Sequence, residues 1–362
     1  MMTDAPRFSP TTIFSPASTP AHDVYGLSLF ALSVATGIFL VVMTLLVYAL
    51  IRFRARPGDT REPPQVYGSI QIEMAWIIIP VLIIFVLFLA TARVIFKIQD
   101  AKKPASAMDV LVIGHQFWWE FRYPAYQVTT ANELHVPVSP AADTRPTFLK
   151  LTSADVVHSF WIPRLAGKTD LLPNRVNEMW IDPHAPGLYE GQCAQFCGAE
   201  HAKMLLRVYV DTPEQFAAWI ANQQKPANAA MQSKASLQRA SLVSGSNAAL
   251  VRQGEERSVE DPDAASIRGM SPAEVGQQTF EHQACINCHT VRGTVADGRF
   301  GPDLTHLMSR STIAAGAAQN TPADLRRWIE NPDDFKKGAL MPSMHLTSEQ
   351  NDQITTYLLT LK

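Results

Sequence analysis

The sequence has little net charge and few cysteines, and it lacks the glycine-rich loop with which many enzymes bind phosphate. A formal net charge of -2 over 362 residues is too small to suggest a protein that binds nucleic acid. Neither an internal repeat nor the bond-making residues of a hydrolase or transferase are apparent. The four cysteines fall into two tight motifs and leave none for a disulfide framework, which points to metal or cofactor chemistry.

Charge is absent from two long segments near the N-terminus. Residues 26–51 carry no charged side chain, and residues 74–92 form a second uncharged run between Glu73 and Arg93. Because about 20 helical residues cross a bilayer core of about 30 Å, each run predicts a transmembrane helix. The first run is too long for a signal peptide. We therefore predict an N-terminal tail of residues 1–24 and a transmembrane hairpin of residues 25–98, with spans of about 26–51 and 74–96.

The charges around the hairpin favour one orientation in the membrane. The connecting loop carries four arginines, which are Arg52, Arg54, Arg56 and Arg61. Such a loop is typical of the cytoplasmic side, although basic residues also follow the second span. A hairpin places the N-terminal tail and the large C-terminal part on the same side, and this side is then the outer one.

The second cysteine pair lies in CINCH (285–289), which has the C-x-x-C-H form of haem c attachment. Cys285 and Cys288 would bind the haem covalently, and His289 would be an axial ligand of the iron. Half a zinc site or a redox dithiol are the alternatives for so short a motif. The capped helix start at residues 271–274 and a capped amphipathic helix at the C-terminus favour a haem domain over residues 270–362.

The second axial ligand is left open by the residues alone. A thioether opposite a histidine is typical of an electron carrier, and a second histidine would give a bis-histidine haem. The candidates are Met341, Met344, His306 and His345. The segment resembles small bacterial class I cytochromes c, whose ligand lies in a Met-Pro pair. This resemblance favours Met341, and it implies that Pro302 lies on the histidine side of the haem.

The first cysteine pair lies in CAQFCGAEHAKM (193–204), where four metal-ligand types occur within twelve residues: Cys193, Cys197, His201 and Met204. One face of a helix would explain the same spacing. The strand-like flanks favour a loop between two strands instead. Thiolates, a thioether and imidazole suit copper, and two cysteines could bridge two copper ions. Such a site needs a further histidine, which His158 in DVVHSFWIP provides.

Four motifs together resemble subunit II of cytochrome c oxidase: GHQFWWEF (114–121), DVVHSFWIP (155–163), GKTD (167–170) and PGLYEGQCAQFCGAEHAKM (186–204). The resemblance covers about residues 25–222, and the C-terminal part resembles the haem domain fused to this subunit in caa-type bacterial oxidases. It implies a multidomain membrane protein with a two-helix transmembrane hairpin, a cupredoxin-like β-barrel over residues 108–222 and an all-α class I cytochrome c domain. Residues 223–269 have few aromatic residues and predict a linker.

The resemblance also implies a dinuclear copper A centre. Its bridging and terminal ligands would be Cys193, Cys197, His158 and His201, and its weak ligands would be Met204 and the backbone carbonyl of Gln195. Many family members have glutamate at the position of Gln195, and its carboxylate reaches a magnesium ion at the subunit I interface. An amide is a poorer ligand for a hard cation, so Gln195 argues against magnesium here.

Three further residues acquire roles from the resemblance. Phe117 occupies the position where electrons enter the family's copper A domain, and Trp118 beside it is the alternative route. Buried packing would equally explain these aromatic residues. Glu73, in EMAWIIIP, matches the glutamate at the mouth of the K proton pathway into subunit I, and a solvated helix end is the simpler explanation.

The resemblance implies an electron-relay subunit of a proton-pumping terminal oxidase in the bacterial cytoplasmic membrane, with both cofactor domains on the periplasmic side. Electrons would pass from cytochrome c, another periplasmic carrier or a quinol-oxidising complex to haem c, then to copper A and to subunit I, where dioxygen is reduced to water. Subunit III would be a further partner, and no catalytic residue is expected in this chain. The alternatives are a membrane nitric oxide reductase with the same relay and a free-standing membrane-anchored electron carrier.

Overall fold

The computed structural model describes most of the chain as two membrane-type helices, a β-rich unit and a helical unit. The described residues are 11–54, 57–58, 62, 64–65, 67–140, 144–227 and 269–362. Residues 228–268 of the predicted linker, the first ten residues of the predicted tail, Arg56 and Arg61 lie outside them.

The two long N-terminal helices are α1 (Thr19–Arg52) and α2 (Ile70–Gln99), and both are long and apolar enough to cross a membrane. They pack against each other, and Lys97 forms an ion pair of 2.6 Å with Asp23. Both helices extend beyond the uncharged runs, and hydrogen bonds connect one end of each helix to the β-rich unit. The Asp182 carboxylate accepts a hydrogen bond of 2.7 Å from the Thr19 amide, and Trp180 donates one of 2.8 Å to the carbonyl of Ile98.

The β-rich unit is a two-sheet sandwich of the cupredoxin-like kind that the resemblance implies. Its strands are β1 (Met108–His115), β2 (Trp118–Tyr123), β3 (Val128–Ala131), β4 (Glu133–Pro137), β5 (Thr147–Ser153), β6 (His158–Trp161), β7 (Thr169–Leu171), β8 (Asn177–Ile181), β9 (Gly187–Cys193) and β10 (Leu205–Asp211). One sheet has the order β3-β2-β1-β5-β8, and the other has the order β4-β10-β9-β6-β7. The pairs β1–β5 and β4–β10 are parallel, and the other pairs are antiparallel.

The core of the sandwich lies between the two sheets. Alternating side chains of β1, β2 and β6, including Val112, Trp119 and Phe160, are fully buried there. Helix α3 (Pro213–Gln223) closes the unit, and it begins with the capping box of Thr212 and Gln215.

The C-terminal unit contains helices α4 (Pro272–His282), α5 (Cys285–Cys288), α6 (Pro322–Glu330) and α7 (Ser348–Leu358), with a small hairpin of β11 (Thr312–Ile313) and β12 (Ala318–Gln319). Helices α4 and α7 both begin with capping boxes, as the sequence predicts. They cross so closely that a side chain at Gly276 would meet the carbonyl of Gln353 at 2.0 Å. Phe280 and Tyr357 pack together beside this crossing and form the centre of the core.

Candidate metal and haem sites

Residues 193–204 form the connection between two antiparallel strands. Cys193 ends β9, a short 3-10 helix covers His201–Lys203, and β10 begins directly after Met204. The Cys193 amide donates a hydrogen bond of 3.0 Å to the carbonyl of Met204, which closes the loop. Gly198 has a φ of +135°, a conformation that side chains rarely adopt. The predicted loop between two strands is therefore confirmed, and the alternative that residues 193–204 form one face of a helix is wrong.

The loop brings the predicted copper ligands together with His158 from β6. The two sulfur atoms of Cys193 and Cys197 lie 3.9 Å apart. Each faces its own imidazole, because His158 Nδ1 lies 3.9 Å from Cys193 Sγ and His201 Nδ1 lies 3.7 Å from Cys197 Sγ. The thiols of both cysteines and the side chain of His158 are buried. The chemistry of these thiols and imidazoles suits copper.

The two predicted weak ligands flank this pair. Met204 is fully buried, with its sulfur 3.9 Å from Cys197 Sγ. The carbonyl oxygen of Gln195 lies 3.2 Å from Cys193 Sγ, and the Gln195 side chain is exposed. The backbone of Gln195 and its side chain therefore face different surroundings, and only the backbone faces the thiols.

The two thiols ionise as a pair. Their mutual hydrogen bond lowers the pKa of Cys193 and raises the pKa of Cys197, since the proton that remains after the first is lost is shared between the two sulfurs. A bound cation would favour loss of the second proton as well.

Asp155 contacts one of the predicted ligands, and sequence reasoning does not assign it a role. Its Oδ1 accepts a hydrogen bond of 2.8 Å from Nε2 of His158, which leaves Nδ1 of that ring directed at Cys193. Burial raises the pKa of Asp155, but the hydrogen bonds from His158 and Gln116 outweigh it and lower the pKa overall. A carboxylate behind a ligating histidine fixes the ring and its tautomer. The signal in the sequence is the aspartate three residues before the histidine of DVVH.

The aromatic residues of GHQFWWEF lie beside this site in different environments. Phe117 is buried, and its ring lies 3.0 Å from the position of a Cβ on Gly198. Trp118 is half-buried and stacks on the ring of His115 at 4.1 Å. Trp119 is fully buried against Phe160. The structure thus places Phe117 against the metal-ligand loop, and its part in electron transfer stays a prediction.

The CINCH motif forms the short helix α5 and the turn after it. Nδ1 of His289 donates a hydrogen bond of 2.9 Å to the carbonyl of Pro302, as the resemblance to class I cytochromes implies for the histidine side. This bond leaves Nε2 available for iron. Burial lowers the pKa of His289, which favours the neutral imidazole that binds metal. Cys285 and Cys288 are free thiols and half-buried, as covalent attachment at the haem edge needs.

The candidates for the other axial position differ in their surroundings. Both ring nitrogens of His306 face backbone carbonyls, of Lys362 at 2.8 Å and of Lys225 at 2.9 Å, so this buried histidine has a structural partner on each side. His345 is exposed. Met341 and Met344 are half-buried in the loop before α7, and the choice between them stays a prediction.

Glu73 lies in the first turn of α2, at the end of the helix that points away from the β-rich unit. Its side chain is half-buried, and one carboxylate oxygen lies 2.7 Å from the position of a Cβ on Gly68. A side chain at Gly68 would displace this carboxylate. The proton-path role of Glu73 stays a prediction.

Comparisons with known proteins match three parts of the chain to family models. Residues 9–94 match the model described as the transmembrane domain of cytochrome C oxidase subunit II, residues 108–210 match its periplasmic domain, and residues 273–362 match cytochrome c.

Three relatives carry the description cytochrome c oxidase subunit 2. The chain is 29% identical to the protein of Alkalihalophilus pseudofirmus, over 97% of this chain and 91% of the relative. It is 31% identical to that of Bacillus sp. strain PS3, over 96% and 90%. It is 26% identical to that of Bacillus subtilis, also over 96% and 90%.

Proposed function

Because the chain belongs to the cytochrome c oxidase subunit II family and carries a C-terminal cytochrome c domain, we propose that it relays electrons within a terminal oxidase. Electrons from a donor would pass through haem c to copper A and on to subunit I, where dioxygen is reduced to water. The observation that carries the proposal is the pair of buried sulfurs 3.9 Å apart, each facing its own imidazole. The chain is thus an oxidoreductase subunit, and dioxygen would be reduced in subunit I.

The residues around the copper pair would hold it in a fixed geometry. The bridging thiolates would be Cys193 and Cys197, with His158 and His201 as terminal ligands, and Met204 and the carbonyl of Gln195 as weak ligands. When bound, copper supplies one-electron redox chemistry. The ligands lie on β6 and on the loop that joins β9 to β10, against the core of the sandwich. Close packing there limits rearrangement when the charge changes, which suits a relay.

The haem would be held by Cys285 and Cys288, with His289 and Met341 as the axial ligands of its iron. The hydrogen bond from Nδ1 of His289 to Pro302 orients the imidazole for this role. The axial methionine would favour a reduction potential suited to an electron carrier.

The helices α1 and α2 would anchor the chain in the bacterial cytoplasmic membrane, with both cofactor domains on the periplasmic side. Subunit I would be the acceptor, subunit III a further partner, and Glu73 would lie at the mouth of the proton path into subunit I. The exposed amide of Gln195 argues against a magnesium ligand at that position. The donor would be cytochrome c, another periplasmic carrier or a quinol-oxidising complex.

Spectroscopy of the purified oxidase with reciprocal variants tests this assignment. We expect Cys193→Ser to abolish the multi-line paramagnetic signal of one unpaired electron shared by two coppers, with the haem c absorption bands retained. Cys285→Ser should weaken haem attachment and leave the copper signal intact. A Cys193→Ser oxidase that kept the shared-electron signal would contradict the bridging role. Oxygen uptake in preference to nitric oxide consumption would separate the terminal oxidase from the reductase alternative.

A further inference from the structure

The C-terminal haem unit packs on the copper unit, and Glu133 lies at the centre of one contact. This residue begins β4, at an edge of its sheet, and it is only 2% exposed. Its carboxylate accepts hydrogen bonds from the amides of Ser311 and Thr312 at 2.9 and 3.0 Å, and from their hydroxyls at 2.8 and 3.1 Å. An ionised carboxylate is costly to bury without such donors. The haem unit therefore presents a binding site that matches this one side chain.

Lys336 makes a second contact, close to the metal-ligand loop. Its side chain is only 3% exposed, and Nζ donates a hydrogen bond of 2.9 Å to the carbonyl of Phe117. Burial lowers the pKa of Lys336 to about 7, and an amine donates this hydrogen bond in its charged and in its neutral form. The neighbouring Lys337 is exposed, so the burial is specific to one of two adjacent lysines.

The chain around Lys336 covers the copper loop. Nζ of Lys203, which precedes Met204, donates a hydrogen bond of 2.6 Å to the carbonyl of Phe335. A Cβ on Gly338 would lie 3.8 Å from that of Ala199. Residues 335–338 therefore lie against the loop of residues 197–204. The same segment reaches the predicted axial ligand Met341 five residues after Lys336.

Short connections lead from this contact to the thiol pair. Phe117 lies against Gly198, the residue that follows Cys197. Gln116, which precedes Phe117, donates a hydrogen bond of 2.6 Å from its side chain to the carbonyl of Cys197. Lys336 is thus connected to the backbone of Cys197, a proposed copper ligand. Lys336 bonds to Phe117, and the adjacent Gln116 bonds to Cys197.

We propose that Lys336 is a positioning residue for electron transfer inside this chain: its bond to Phe117 holds residues 335–341 on the copper loop, while Glu133 holds the haem domain in the docked arrangement. Such a transfer would move one electron from a ferrous haem held by this domain to the copper pair held by the copper loop, with no bond formed or broken. Because the docked haem domain contacts the backbone of Phe117, an external donor would reduce the haem in this arrangement. This inference rests on the proposed function.

The first test measures docking without reference to turnover. Hydrogen exchange of the assembled oxidase would be followed by mass spectrometry in peptides that cover residues 196–203 and 335–340. We expect faster exchange in Lys336→Met than in wild type, and wild-type exchange in the matched control Lys337→Met. Equal exchange in the two variants would overturn the docking role of Lys336.

The second test measures the transfer itself. After photochemical reduction of haem c, we expect the rate of copper A reduction to fall about tenfold in Lys336→Met, because the hydrogen bond to a buried carbonyl is lost. Lys337→Met should transfer at the wild-type rate. Both variants should keep the haem bands, the copper signal and the rate from copper A to subunit I. A normal rate in Lys336→Met would overturn the inference.

The design separates this inference from the proposed function on which it rests. If haem c of the wild-type oxidase fails to reduce copper A, the proposed relay fails. If the wild type transfers electrons and Lys336→Met does so equally fast, only the positioning role fails. Should Lys336→Met not assemble, Glu133→Gln tests the same docked arrangement from the other contact, with the exposed Glu178→Gln as its control. A wild-type transfer rate in Glu133→Gln would then overturn the inference.

Discussion

At the scale of single residues, the copper site depends on side chains that are not ligands. Asp155 directs Nδ1 of His158 toward Cys193 through its bond to the other ring nitrogen. Gln116 directly follows β1, and its backbone N–H donates a hydrogen bond to Asp155. Its side chain donates a second hydrogen bond to the carbonyl of Cys197, which connects the copper loop to the end of β1. These residues restrict the positions of the thiols and the imidazole before any metal arrives, which lowers the cost of binding.

We therefore expect Asp155→Asn to weaken copper binding about 10- to 100-fold, the usual effect of losing a residue that orients a metal ligand. Copper retention against a chelator, read from the shared-electron signal, measures this effect. The control is Asp109→Asn at the start of β1. Equal retention in the two variants would contradict the orienting role.

The ionisation of Asp155 predicts how its effect on copper retention depends on pH. The pKa of Asp155 is lowered from 3.8, so its contribution is fully present above pH 3.8 and is lost as the pH falls through the lowered pKa. The difference in copper retention between wild type and Asp155→Asn should therefore persist at about pH 5 and above, which lies above the ordinary pKa of an aspartate of about 3.9. The difference should shrink only in stronger acid.

At the scale of elements, two loops each carry some of the proposed cofactor ligands, and rigid structure holds each of them. The copper loop joins two paired strands, and the backbone bond from Cys193 to Met204 closes it. The loop of residues 331–347 runs from α6 to α7, and it carries both Lys336 and the candidate methionines. Placing ligands on loops between fixed elements gives a defined geometry with freedom to accommodate the cofactor.

Substitutions in the loop of residues 331–347 test which methionine is the axial ligand of the haem iron. We expect Met341→Leu to remove the thioether from the iron and to lower the reduction potential of the haem, because leucine cannot coordinate it. Met344→Leu should leave the potential and the absorption spectrum unchanged. Redox titration of both oxidases measures the difference. The assignment of Met341 is wrong if the change occurs in Met344→Leu instead.

At the scale of the whole molecule, the two cofactor domains meet through buried polar contacts. Glu133 and Lys336 are almost fully buried, and their partners are backbone groups and hydroxyls of the other domain. Salt screens exposed charges strongly and buried ones much less. The internal contact therefore differs in kind from the encounter of an oxidase with a soluble charged donor.

This difference predicts a contrast in salt dependence. The rate from haem c to copper A should stay constant between about 0.1 M and about 1 M salt, where the Debye length falls from about 10 Å to about 3 Å. The rate of reduction by an added soluble donor of opposite charge should decrease over the same range. Flash photoreduction at several salt concentrations measures the first rate, and a steep fall there would contradict a buried internal contact.

The sequence by itself determined the features that depend on local spacing. The uncharged runs predicted the two membrane helices, CINCH predicted the haem attachment site, and the cysteine spacing with its strand-like flanks predicted a loop between strands. These patterns suffice because hydrophobic runs and short ligand motifs act over one element or one turn.

Only the tertiary structure decided which distant residues meet. Glu133 contacts Ser311 across 178 positions of the chain, and Lys336 contacts Phe117 across 219. The Asp155 carboxylate binds a histidine only three positions away, yet the role of this bond depends on Cys193 approaching from another strand. A buried lysine and an exposed one stand side by side at positions 336 and 337. Burial is a property of the packed surfaces, so no local pattern distinguishes the two.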